Sequence, residues 1–261
     1  TIALVRHDQL LSEVTVHGDQ DDNKTQISQV IGNEKISEEG NKTLSDLLES
    51  VAGVSVIRNG SGISKPIIHG MYGNRVSILN NGVVQAGQQW GNDHAPEIDP
   101  FVADHIAVVK GAAALEYNGS TLGGVVLIEP KRISNDPHLH GKANYIFQSN
   151  GIGHTLNAQS EKFGNWSAWR MTGTLKGMGD THAPDYFLTN TGRREADIAI
   201  QLEKEFSKKW WSSAYYSFFS TDLGILRGSQ TGNLTDLEIA INSDVPLYTS
   251  EEFSYDIFAP R

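Results

Sequence analysis

The stretch Gln85-Ala86-Gly87-Gln88-Gln89-Trp90-Gly91-Asn92-Asp93-His94-Ala95-Pro96-Glu97-Ile98-Asp99 concentrates side chains that can hold a ligand. Asp93, His94, Glu97 and Asp99 stand beside Trp90, with side-chain amides from Gln88, Gln89 and Asn92. Imidazole and carboxylate suit zinc and other borderline metals, which makes Asp93, His94 and Glu97 candidate metal ligands. The other reading is local: Asp93 and His94 cap and hydrogen-bond a tight Gly/Pro-rich loop. No second histidine follows two to four residues after His94, so a metal site must borrow from elsewhere. His69, His105, His138, His140, His154 and His182 are the other candidates, and His138-Leu139-His140 puts two imidazoles on one face of a strand. Catalytic signatures are missing: there is no G-x-S-x-G elbow, no H-E-x-x-H and no phosphate loop. Gly60-Ser61-Gly62-Ile63-Ser64-Lys65 lacks the spacing of the last. An enzyme is not expected.

Composition narrows the class. The net charge of −10 argues against a nucleic-acid partner, because phosphate binding needs a basic face. It suits a solvated surface and attracts cationic or metal-bearing ligands. With no cysteine, disulfides, thiolate zinc sites and cysteine nucleophiles are excluded. Gly is abundant at 26 and Pro scarce at 8, which favours tight turns and short strands. No apolar run reaches the roughly 18 residues of a membrane helix, a fact that says little about a β-barrel.

The elements that must position these residues change character near Asp136-Pro137. Before that point, helix and strand signals alternate. Leu44, Leu47 and Leu48 fall on one helix face, Gly53 is a stop, and Val54, Val56 and Ile57 begin a strand. Arg75–Leu79 is a second strand closed by Asn80-Asn81-Gly82, a strong hairpin signal because Asn and Gly both tolerate positive φ. Ile106–Val109 is a third strand, Ala112–Leu115 a helical turn, and Val125–Ile128 a fourth strand. These make a small mixed α+β domain.

After Pro137 the period becomes two. Ala143, Tyr145 and Phe147 share a face; Leu156 and Ala158 alternate with Thr155, Asn157, Gln159 and Glu161. Trp169, Met171 and Leu175 alternate with Arg170, Thr172, Thr174 and Lys176. Ala196, Ile198, Ile200 and Leu202 alternate with Asp197, Gln201 and Glu203, and Trp210–Phe219 is aromatic on both faces. Such segments are the signature of a membrane β-barrel, with Phe163, Trp166, Trp210 and Trp211 placed for interfacial girdles. An ordinary antiparallel sheet with one wet face has the same alternation. The polar stretch at 221–253, with a helical Leu234–Ile241 inside it, reads as a long extracellular loop over a ligand entrance or as a disordered connection.

Three stretches, in order, resemble the plug of TonB-dependent outer-membrane receptors. Leu44–Val56 is similar to the family's helix, Ala/Pro-Gly-Val turn and strand. Ile67–Val83 resembles its Gly-rich strand segment, with His69 where Arg is usual and Asn81 where Asp is usual. Ile106–Ile128 resembles the "ieVlrGpasllyGs" segment and its Gly-Gly strand, with Asn118 intervening before Gly119. The resemblance covers about residues 9–135 closely and the rest more loosely. It implies an α+β plug followed by antiparallel transmembrane β-barrel strands, in a receptor whose full barrel has about 22 strands around a plugged lumen. Only five such strands are visible after residue 137, so the chain is expected to be a fragment with an incomplete barrel.

The resemblance also implies a division of the chain. Residues 1–8 are the tail of a preceding domain, 9–24 a TonB-box-like segment and linker, 25–135 the plug, and 136–261 the N-terminal barrel strands and loops. In the segment Leu11–Val16, Glu13, Val14, Thr15 and Val16 would pair with the TonB energy transducer of an inner-membrane complex by strand addition. The same segment also reads as the last strand of an upstream domain. The implied function is energised uptake of a scarce nutrient, such as a chelated metal, haem or a siderophore-like ligand, in the outer membrane of a Gram-negative bacterium. The plug's apical loops face outward in this family and help to bind substrate, and the Asp93-His94-Ala95 step resembles zinc- and haem-type receptors. The implied partners are TonB, outer-membrane lipid, the remaining barrel strands and a surface lipoprotein. No resident cofactor is expected. The alternatives are a soluble plug-like binding or secretion module, and a receptor for an oligosaccharide or peptide working with a lipoprotein.

Overall fold

The computed structural model describes residues 29–58, 62–85, 98–118, 121–164, 167–188, 190–207, 210–224, 226 and 233–243. The N-terminal unit is built on strand β1 (Gln29–Gly32), helices α1 (Asn33–Glu39) and α2 (Leu44–Leu48), and the hairpin of β2 (Val54–Arg58) with β3 (Ser64–Ile68). There follow β4 (Val76–Asn80), β5 (Val83–Val84), β6 (His105–Lys110), the helical turn α3 (Ala114–Tyr117) and β7 (Gly124–Glu129). Its main sheet runs β1-β6-β7-β4-β5, antiparallel except for the parallel pair β4 and β7.

Local sequence accounts for these elements. Thr43 caps α2: its hydroxyl accepts the Asp46 amide hydrogen and donates to the Asp46 carboxylate at 2.7 Å, satisfying one of the orphan groups of the helix start. Leu44, Leu47 and Leu48 are then buried together against Ile36, Ile68, Ile78, Ile106 and Ile128. The opposite face of the sheet buries Leu79, Ala107, Val109, Val125 and Leu127. With both faces covered, the central strands read as continuous apolar runs. The expected Asn-Gly hairpin is present, with Asn81 at φ 50° and Gly82 at φ 77° between Asn80 and Val83. Gly123 and Gly124 let backbone approach backbone: a Cβ on Gly123 would lie 2.9 Å from the Arg75 carbonyl oxygen, and one on Gly124 2.8 Å from that of Val109. No sequence signal marked β1, α1 or β3, which are too short or too polar to carry a period, whereas β5 is the return strand that the hairpin turn requires.

The second sheet holds five long antiparallel strands, β8 (Leu139–Gln148), β9 (Gly153–Phe163), β10 (Ala168–Met178), β13 (Arg193–Ser207) and β14 (Trp210–Leu223), in the order β14-β13-β10-β9-β8. The small hairpin β11 (Thr181–His182) with β12 (Phe187–Leu188) lies between β10 and β13. These are the five expected segments, each longer than its periodic part. The helical stretch at Leu234–Ile241 is helix α4.

Candidate functional site

In the long-stranded sheet the polar side is the buried one. Along β10, Arg170 is 5% exposed and Thr174 1%, while Met171 is 44% exposed and Leu175 59%. Along β13, Asp197 and Gln201 are buried while Leu202 is exposed. Exposed Tyr145, Phe147, Leu156, Tyr216 and Phe218 extend the outward apolar surface. A soluble sheet with one wet face has the reverse arrangement. At the strand ends Phe163, Trp210 and Trp211 are exposed, as interfacial aromatics would be; Trp166 lies outside the described residues.

The buried polar side packs on the N-terminal unit, and three sets of contacts tie the two together. In the first, Arg170 Nε donates to Glu161 Oε2 at 2.7 Å, and its other nitrogens reach the backbone carbonyls of Lys131 and Arg132 and the side-chain oxygen of Gln201. The segment that links the two sheets is thereby clamped to the wall. In the second, Lys142 Nζ donates to Asn33 Oδ1 at 2.8 Å and Ser37 Oγ at 2.6 Å, Asn41 bonds Gln148 at 3.2 Å, and Arg193 donates to the Asn41 carbonyl.

The third set centres on Asp99. Pro100–Val102 forms a short 3-10 turn that rests on β10, and Asp99 caps it by accepting from the Phe101 amide at 3.2 Å. Its other oxygen accepts from the Thr174 hydroxyl at 2.6 Å. Burial pushes the Asp99 carboxyl above the usual range, against the pull of Lys176 and of these two hydrogen bonds. Glu195 and Asp197 come to the same place from β13, and Lys176 Nζ lies 2.6 Å from Glu195 Oε1.

The candidate residues read from the sequence fare differently. Gln88, Gln89, Trp90, Asn92, Asp93, His94 and Glu97 lie outside the described residues, as do Glu13, Val14, Thr15 and Val16. Asp99, grouped in sequence with Asp93, His94 and Glu97, has its carboxylate turned to the strand wall. Among the described residues the histidines gather at no common site, His138 and His140 excepted. His105 meets Glu129 at 3.0 Å, His154 bonds the Tyr145 hydroxyl at 2.7 Å, and His182 packs edge-on against Phe187. His138 and His140 both turn to Asp136, at 2.6 Å and 3.0 Å, and the hydrogen bonds from His138 lower that exposed carboxyl to about 2. Among the described residues the one group of three potential metal ligands is Asp99, Glu195 and Asp197. Sequence reasoning missed it because its members come from distant elements; the available signal was the acidic side chains on the polar face of β13.

Comparison with known proteins agrees with this architecture. Residues 20–125 match the family model described as the TonB-dependent Receptor Plug Domain. A hemin receptor of Yersinia pestis is 34% identical over 88 residues, which cover 33% of this chain and 13% of that protein. Among solved structures, the copper transporter OprC matches with a TM-score of 0.66 and 16% identity, covering 77% of this chain and 32% of OprC. The ferric enterobactin receptor PfeA of Pseudomonas aeruginosa matches with a TM-score of 0.62 and 18% identity, over 77% of this chain and 34% of PfeA. The chain thus spans about a third of the length of these solved receptors and less of the hemin receptor.

Proposed function

We propose, from the premise that this chain carries the plug domain of a TonB-dependent outer-membrane receptor, that it serves energised import of a metal-bearing nutrient across that membrane. The observation that carries the reading is the inverted sheet: a wall apolar outside and polar inside, wrapped against a separately packed plug. Such a wall suits lipid on one side and a plugged lumen on the other. The exposed apolar face speaks against a soluble binding module, which would have to hide it.

The cargo reading is haem or a chelated transition metal. It is supported by the similarity to a hemin receptor and by the ligand chemistry of the 88–97 loop. In this reading Gln88, Gln89, Trp90, Asn92, Asp93, His94 and Glu97 form the capture surface. Trp90 offers an aromatic face to a planar ligand, and Asp93, His94 and Glu97 offer metal donors. Residues 25–135 act as the plug, 136–261 as the start of the barrel, and Glu13–Val16 as the strand that TonB grips. Force on that strand would rearrange the plug and open the lumen.

Two measurements test this. Titration of the detergent-solubilised full-length receptor with haem, zinc and copper should show tight binding of one of them, weakened at least tenfold by His94→Ala. Equal affinity in the variant would return the loop to a purely structural role. Deleting residues 11–16 should abolish uptake while binding survives; unchanged uptake would refute the TonB assignment.

A further inference from the structure

The acidic group at the plug–wall seam has the features of a cation site. Asp99 from the plug and Glu195 and Asp197 from β13 each bring a carboxylate oxygen within 4.8 Å of the others. Asp197 is 8% exposed, and no protein donor reaches either of its oxygens. A buried carboxylate left this way is costly unless a positive charge or a proton accompanies it. The charge at hand falls short. Lys176 is paired with Glu195, while Arg193, on the same strand as Glu195, acts on it only through space and makes no ion pair with the three carboxylates. Three carboxylates thus meet one directly paired ammonium.

We infer that Asp99, Glu195 and Asp197 form a calcium-type divalent-cation site that staples the plug to the barrel wall. The donor chemistry selects the ion. All three ligands are hard oxygens, with neither imidazole nor thiolate, which disfavours zinc and copper. Calcium takes oxygens at about 2.3–2.6 Å, so opposite ligands lie roughly 4.6–5.2 Å apart, a span these carboxylates can close with little movement. Magnesium demands near-ideal octahedral geometry and gives up its waters reluctantly, which a buried set of protein oxygens does not suit. The Thr174 hydroxyl, 2.6 Å from Asp99 Oδ2, is a further oxygen beside the group. The competing occupant is a proton shared between Asp197 and Glu195, which lie within hydrogen-bond reach of each other.

The site uses none of residues 88–97 and its proposal does not depend on the cargo, so its test uses no transport readout. The full-length receptor in detergent is stripped with EDTA, dialysed, and titrated with radioactive calcium by equilibrium dialysis. The wild type should bind one calcium ion per receptor more than Asp197→Asn, and its thermal unfolding midpoint should rise with calcium while that of the variant stays put. Asp99→Asn, whose amide oxygen can still accept from the Phe101 amide while its nitrogen donates to the Thr174 oxygen, should lose the same ion and serves if Asp197→Asn does not fold. Equal stoichiometry in wild type and variants would overturn the assignment. So would a wild-type midpoint indifferent to both calcium and EDTA, which would leave the shared proton as the occupant.

Discussion

The two sheets solve opposite packing problems with the same backbone geometry. In the plug, β4, β6 and β7 bury Val, Ile and Leu on both faces, and the helices cover what the sheet cannot. In the wall, β10 and β13 bury Arg, Thr, Lys, Asp and Gln while Met, Leu and Ile point away from the plug. The plug is held by exclusion of water from an apolar core. The wall's inner face is held largely by polar contacts to the plug, with Asp197 left unpaired, and its outer face carries exposed apolar side chains of the kind that suit lipid. The same solvent-to-core reversal that would ruin a soluble domain is what a membrane wall requires.

Substitutions that exchange these two logics should separate the regions. The largest effect is expected from Arg170→Ala, which strands Glu161 and frees the carbonyls of Lys131 and Arg132. Breaking a buried pair in this way costs about 3–5 kcal/mol. In urea titrations of the receptor in detergent, the plug transition should move to lower urea than in the wild type; an unmoved transition would show that the clamp contributes nothing. Leu47→Ala, at a fully buried plug position, should destabilise the plug by about 2–5 kcal/mol in the same titration.

On the outer face, Leu175→Ala should be nearly silent, while Leu175→Arg should cost roughly 2–4 kcal/mol if that position faces the membrane interior. Folding yield into lipid vesicles reads this out, and an arginine tolerated there would place the wall in water. Gly82→Ala forces a side chain into a left-handed turn residue at φ 77° and should cost about 1–2 kcal/mol, confined to the plug transition.

The smallest effect is electrostatic. The exposed Asp136 has its folded pKa depressed to about 2 from an ordinary 3.8 by His138 and His140. Whatever it contributes is therefore present above about pH 4 and fades as the pH falls toward 2. The difference between wild type and Asp136→Asn should follow that window; a difference independent of pH would assign it to packing.

Much of this fold is determined locally. The Leu44-Leu47-Leu48 face, the Asn81-Gly82 turn and the continuous runs at 106–109 and 125–128 stand in the structure where their spacing put them, because capping, turn dihedrals and side-chain period act within a few residues. The five long strands were equally legible from their alternation. Alternation alone could not say which face is wet, since a period of two marks two faces without naming the solvent on either. That decision belongs to the tertiary structure, where the plug occupies the polar side. The same is true of Asp99: its neighbours in sequence placed it with the 85–97 loop, and only the docking of the 3-10 turn on β10 turned its carboxylate to Thr174, Glu195 and Asp197. Sequence fixes what each residue can bond to over a few positions. Which distant residues it meets is set by how the two sheets pack, because that partnership is carried by many weak contacts rather than by any one motif.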